Sequence, residues 1–203
     1  EAAYVYVGNY FGKVPAGKTP VIIYDDKQEM NNRFGMKDDQ YVTGVYGAGI
    51  IKVLSPRSFL KKDEPLQVAS YYGTMVHEYT HLMLEHVAAG NYTGWFNEGL
   101  AQYVEYSATG YEFLSDSSRV TNNLYSLADM DGGFERLEDK DRAYRAAFLS
   151  VRYIAEVYGE DKLKLIIHTL AAGRKTEQAI ENVLLTDYAQ FGAKWQMWLR
   201  NTK

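Results

Sequence analysis

Two histidines four residues apart frame the stretch His77-Glu78-Tyr79-Thr80-His81. On a helix of 3.6 residues per turn, positions four apart lie about 40° from each other around the axis and roughly 6 Å apart, so both imidazoles face one point. Two neutral imidazoles at that spacing can hold a zinc ion. Glu78, beside the first of them, projects near the same point and could take a proton from water that the metal activates. A catalytic zinc wants three protein ligands and one open position. Glu98, seventeen residues after His81 and inside Trp95-Phe96-Asn97-Glu98-Gly99, is the candidate third ligand.

The elements that must position these groups are two helices and a turn. The first carries Tyr72, Met75, Val76, Tyr79, Leu82 and Met83. Apolar residues on more than one side predict a buried helix. Pro65 suits its first turn, Asp63 and Glu64 complement the positive end of the dipole, and Gly90-Asn91 stops it. A second helical pattern runs from Trp95 to Ser107, beyond the turn residues Gly90, Asn91 and Gly94. A helix returning beside the first would bring Glu98 to the open side of the two imidazoles. His86 is no rival ligand, because an offset of five from His81 turns it about 140° away on a continuing helix. It reads as a partly exposed histidine. His168, within the apolar run Leu163 to Leu170, reads as a core or rim residue.

HEYTH followed by NEGLAQYVE resembles the gluzincin metallopeptidases, in particular the M1-like group of the MA clan, whose third zinc ligand lies in an Asn-Glu-Gly motif. The resemblance implies His77, His81 and Glu98 as ligands to one zinc per chain, with Glu78 as general base. It also implies Glu105 as the acidic residue that orients a ligating histidine, a partner such imidazoles usually have. The interval between the second histidine and Glu98 is slightly shorter than in the large M1 aminopeptidases, which points to a compact branch. Tyr144-Arg-Ala-Ala-Phe looks like the helix start whose tyrosine steadies the oxyanion in that group. Gly47-Ala48-Gly49-Ile50-Ile51 falls where those aminopeptidases carry Gly-x-Met-Glu-Asn on the sheet edge that pairs with substrate. Here it has no acidic residue. A buried amine without a carboxylate is costly, so the expectation is an endopeptidase binding an extended peptide at an edge strand. A plain glycine-containing hairpin is the competing reading of Gly47, Ala48 and Gly49.

The remainder of the chain fits a compact enzyme. It has 203 residues, 46% of them hydrophobic, enough for one substantial core and against disorder. A formal net charge of -4 gives no basic footprint for nucleic acid. No run of apolar residues is long enough to span a membrane. With no cysteine, disulfides and thiolate ligands are excluded, whereas the compartment stays open. A start at Glu1 without Met is what a processed chain shows, and with the resemblance it leans towards an exported protein.

In order, a short helix is expected over Ala2 to Phe11, stopped by Gly12, and a buried strand over Pro20 to Tyr24. A helix or irregular turn follows from Lys27 to Gly35. Two strands, Tyr41 to Tyr46 and Ile50 to Leu54, come next. After the metal helices, Ser115-Asp116-Ser117 looks like a helix start and Asp131-Gly132-Gly133 like a turn. Strong helical spacing then runs from Asp139 to Gly159 and from Glu160 to Ala172. Another helix is capped by Thr176, and a last one begins at Asp187 with Phe191, Trp195 and Trp198 on its apolar stripe. The expected fold is α+β and zincin-like: a small N-terminal mixed sheet with the active-site helix, plus a C-terminal helical lobe. Residues 1–203 are read as a single catalytic domain, with lobes 1–107 and 108–203 and a cleft between them for a peptide or protein substrate. A zinc-containing binding or sensing domain without general proteolytic activity is the alternative. A helical domain with an accidental HExxH would need Glu98 and Glu105 to be coincidences as well.

Overall fold

The computed structural model describes residues 1–34, 43–58, 68–114 and 123–201. The expected helix starts at Asp63-Glu64-Pro65 and at Ser115-Asp116-Ser117 lie outside them, as do Gly35, Tyr41 and Val42. Helices dominate, accompanied by one three-stranded mixed sheet, so the α+β expectation holds. The chain divides into two compact units, Glu1–Met83 with Val104–Tyr111, and Leu84–Tyr103 with Glu112–Lys203.

In the first unit, α1 spans Ala2–Phe11 and ends where Gly12 takes a φ of 69°, a left-handed turn that a glycine adopts at little cost. The sheet has strands β1 (Val21–Tyr24), β2 (Gly44–Gly47) and β3 (Ile50–Leu54), in the order β1-β3-β2. A helix, α2 (Lys27–Phe34), follows β1. β1 runs parallel to β3, and β2 pairs with β3 antiparallel, with Gly47 opposite Ile50. The two residues between them, Ala48 and Gly49, have φ of 51° and 77°. Two successive positive φ values make the hairpin turn whose twist matches that of the strands. Ile51 and Val53 of β3 are fully buried and alternate with half-buried Lys52, as a central strand with one core face requires.

β1 corrects the expectation of a buried strand. Val21, Ile22 and Ile23 are all exposed, Ile23 by 56%. A β-branched apolar run predicts extended backbone, but burial also needs a neighbour on each side. Among the described residues, β1 occupies an outer position with a strand on one side only.

Two helices belong partly to each unit: α3 (Val68–Ala88) and α4 (Gly94–Thr109). α3 stops where Ala89 and Gly90 turn left-handed, at φ of 49° and 79°. The second unit continues with a short helix not foreseen from the sequence, α5 (Leu127–Asp131), which a Ser126–Asp129 capping box starts. Next come α6 (Lys140–Tyr153), widened at its end into a π turn over Ile154–Tyr158, then α7 (Glu160–Ala171), α8 (Thr176–Leu184) and α9 (Tyr188–Asn201). Gly159, at φ 98°, separates α6 from α7. Ala147 and Phe148 of α6, Leu163 and Ile166 of α7, Ile180 of α8, and Phe191 and Trp195 of α9 form its core. Tyr153 packs its ring on Phe191 and Trp198 at 5.6 and 5.4 Å, so the expected apolar stripe of the last helix closes on α6. Thr176 is buried, but it does not cap its own helix. Its hydroxyl instead accepts the Thr93 N–H at 2.9 Å, just ahead of α4.

Candidate metal centre

His77 and His81 lie one turn apart on α3, with ring centroids 4.8 Å apart and edge to face. Glu98 comes from the second turn of α4. Each of the three offers one ligand atom, and these atoms lie within 4.8 Å of one another, so the group could hold a metal ion. The donor chemistry fits: two imidazole nitrogens and one carboxylate oxygen are a known catalytic zinc set. Ligand atoms about 2.0–2.2 Å from a tetrahedral zinc stand roughly 3.4 Å apart, so small side-chain adjustments close the set.

His77 is oriented from behind. Its Nδ1 donates to Oε2 of Glu105 at 3.1 Å, with both side chains 18% exposed. A carboxylate on Nδ1–H leaves the Nε2 lone pair for a metal and fixes the ring plane. The backbone makes room for this contact. Gly73, one turn before His77, is buried, and a Cβ there would stand 2.7 Å from Oε1 of Glu105. The Glu105 charge also reaches Tyr111, whose phenol is pushed above its ordinary range, first by partial burial and then by that carboxylate.

Glu78 is buried, at 5% exposure. β2 passes directly against it. A Cβ on Gly44 would lie 2.7 Å from Glu78 Oε1 and 2.8 Å from its Cγ, and 2.7 Å from Cγ2 of Thr74. Next to Gly44, the hydroxyls of Thr43 and Thr74 are 3.1 Å apart, joining the strand to α3. The strand residues beside Glu78 are therefore at the Gly44 end of β2. Gly47 ends the strand, and Ala48 and Gly49 form its turn. Tyr79, on α3 between the ligands, is buried against Tyr4 with no hydrogen bond to its hydroxyl. Burial, then Tyr4, pushes its phenol up to about 12, so it stays neutral. His86 and His168 are both exposed and outside the ligand group, consistent with their dismissal as ligands.

The start of α4, one turn ahead of Glu98, is pinned by several contacts within the second unit. The Trp95 indole donates to Asp131 Oδ1 at 2.8 Å, and Asp131 Oδ2 accepts the Tyr188 hydroxyl at 2.7 Å. A Cβ on Gly94 would stand 3.1 Å from Cβ of Phe134. Farther along, α4 meets α6 backbone to backbone. A Cβ on Gly99 would run into the carbonyl of Ala147, 2.7 Å from its carbon, so only glycine permits the crossing beside Glu98. Gln102, buried on the next turn, donates from Nε2 to the Tyr144 carbonyl at 3.1 Å and the Glu98 carbonyl at 3.4 Å. Tyr144 is half-buried in the first turns of α6, its ring edge-on to Phe134 at 5.5 Å.

Gly44, Gly73 and Gln102 were not singled out from the sequence. A glycine in mid-helix one turn ahead of a ligand is a usable signal, since such a glycine costs about 1 kcal/mol against alanine and asks for a packing reason. Among the described residues no helix is long and apolar enough to cross a membrane. Comparison with curated proteins finds no match to this chain. A family model does match: the model described as the Peptidase MA superfamily covers residues 15–201, from ahead of the sheet to the end of α9, and the chain belongs to that superfamily.

Proposed function

We propose that this protein is a zinc metallopeptidase of the M1-like gluzincin type, acting as an endopeptidase, with residues 1–203 working as one catalytic domain. The observation that carries the reading is the convergence of ligand atoms from His77, His81 and Glu98 within 4.8 Å, in a chain of a peptidase superfamily. A zinc ion held by these residues would supply Lewis acidity, polarising the scissile carbonyl and bringing the pKa of a water towards about 7. Glu78 then acts as general base: its carboxylate takes a proton from the attacking water and hands it to the leaving amine nitrogen. Its burial beside Gly44 limits competing solvent and holds the side chain in one place. The Tyr144 hydroxyl donates to the oxygen that gains negative charge, a contribution of about 3 kcal/mol for donors of this kind. Glu105 holds the His77 ring.

The specificity follows from the strand. Among the described residues β2 is an outer strand of the sheet, and it abuts Glu78 through Gly44, so its main chain can pair with an extended peptide. Residues 44–51 carry no carboxylate to receive a free amino terminus, which favours internal bonds.

The test is a diverse peptide mixture, part of it N-acetylated and part with free amino termini, incubated with zinc-loaded protein and read by mass spectrometry. The expected result is internal cleavage that a chelator stops and zinc restores. Glu78→Gln should keep zinc and lose about 100-fold or more of the rate. Cleavage restricted to the first residue of free-amine peptides would overturn endopeptidase action. No chelator-sensitive cut at any protein concentration would favour a zinc-containing binding or sensing domain.

A further inference from the structure

Gln102 presents an oddity that packing does not explain. It is 7% exposed, and its Oε1 is buried with no hydrogen-bond partner. An unpaired buried oxygen costs free energy that an apolar side chain of similar size would avoid. Stability alone therefore gives no reason for an amide here. What the amide supplies is its Nε2–H donors, and both are used on carbonyls: Tyr144 at 3.1 Å and Glu98 at 3.4 Å. Rotating the amide by 180° would set its oxygen against two other oxygens, so the orientation is fixed by its partners.

Tyr144 is held on α4 from both directions along that helix. Its carbonyl is tied to Gln102, one turn beyond Glu98. Its ring packs edge-on to Phe134, whose Cβ sits against Gly94, one turn before Glu98. Gly94, Glu98 and Gln102 are spaced by four and share one face of the helix. The Gly99–Ala147 crossing removes the slack that a side chain between α4 and α6 would allow. We infer that Gln102 is a positioning residue: its amide clamps the Tyr144 turn of α6 to the Glu98 turn of α4, and so fixes where the Tyr144 hydroxyl stands relative to that carboxylate. The inference rests on the reading of Tyr144 as the oxyanion donor. Gln102 itself touches no substrate and acts only through Tyr144.

A double-mutant cycle tests it. Gln102→Met keeps the length and removes the donors, and Tyr144→Phe removes the hydroxyl. Tyr144→Phe should lower kcat about 100-fold or more, and Gln102→Met about 10- to 100-fold, because misplacement on the ångström scale is enough to cost that much. The double variant should be no slower than Tyr144→Phe alone, and zinc affinity should change less than twofold in all three. In metal-free protein labelled at tyrosine Cζ, Gln102→Met should shift or broaden the Tyr144 resonance and leave that of Tyr4 unmoved. If Gln102→Met unfolds, Gln102→Glu replaces it. Its deficit against wild type should grow as pH rises, since a protonated carboxyl has one O–H to donate to the Tyr144 carbonyl and an ionised one repels both carbonyls. Multiplicative losses with an unmoved Tyr144 resonance would overturn the positioning role and leave the peptidase reading intact. Full activity of Tyr144→Phe would overturn the oxyanion role and the inference with it, and the metal-free resonance shift would still report the clamp itself.

Discussion

Alanine at position 73 should separate the stability of α3 from the metal affinity of its histidines. Gly73 lies one turn before His77, and its missing side chain leaves room for Glu105. A Cβ would stand 2.7 Å from Oε1 of Glu105, and ordinary contact begins at 3.4 Å, so the carboxylate must withdraw by about 0.7 Å. Its other oxygen, Oε2, accepts the His77 Nδ1–H at 3.1 Å, and a retreat of the whole carboxylate by that much, away from the ring, takes it past hydrogen-bonding range. The far end of a glutamate moves easily, so the fold itself loses little. Replacing a mid-helix glycine by alanine even favours the helix by up to about 1 kcal/mol. The cost falls on the imidazole, freed from the partner that orients it. Losing such a partner typically weakens metal binding about 10- to 100-fold, or roughly 1.4–2.8 kcal/mol. The assay is a zinc competition titration against a chromophoric chelator, paired with thermal unfolding of the metal-free protein. The expected pattern is an unchanged or raised Tm with a weakened Kd, matched by Glu105→Ala. A Gly73→Ala variant that binds zinc as tightly as wild type would show that the Glu105 contact does not support zinc binding by His77.

Two further predictions draw on other parts of the molecule. Gly44→Ala would press a methyl group on Glu78 Oε1 and Cγ from 2.7 and 2.8 Å. It should lower kcat at least 10-fold with zinc content retained, as displacement of a general base would; loss of zinc in parallel would count against the assignment. Tyr188 is pushed well above the ordinary tyrosine range of 10.0, first by burial, then by the Asp131 charge. The folded state thus holds its proton more tightly. That stability is fully present below pH 10 and is lost as pH rises above it, by up to about 1.4 kcal/mol per pH unit. In urea titrations from pH 8 to 11, Tyr188→Phe should fall less steeply than wild type, and parallel curves would contradict this.

The grouping of His77, His81 and Glu98 was legible in the sequence because its geometry is mostly local. A four-residue spacing fixes two imidazoles on one helical face, and Asn97-Glu98-Gly99 follows within a single turn and helix. Glu105 was legible for the same reason, seven residues on from Glu98 along α4. What escaped was set by elements distant in the chain. The run Val21 to Tyr24 announces extended backbone, but its exposure depends on which strands flank it. Gly47-Ala48-Gly49 reads as either an edge or a turn, and two positive φ values put Ala48 and Gly49 in the turn while Gly47 ends the strand. Thr176 looks like the cap of its own helix, and only the approach of the α3–α4 turn gives its hydroxyl to Thr93. Gly44, Gly73 and Gln102 matter through close approaches across 34, 32 and 42 residues, to Glu78, Glu105 and Tyr144, and no periodicity encodes those.

His77, His81 and Glu98 together should hold one zinc ion. Anomalous X-ray diffraction collected on either side of the zinc absorption edge, from crystals of zinc-loaded protein, tests it most directly. A single strong peak per chain is expected, about 2.0–2.2 Å from one nitrogen of each histidine and one oxygen of Glu98. A zinc-loaded crystal with no peak there, or a peak bound by the histidines with Glu98 turned away, would contradict it.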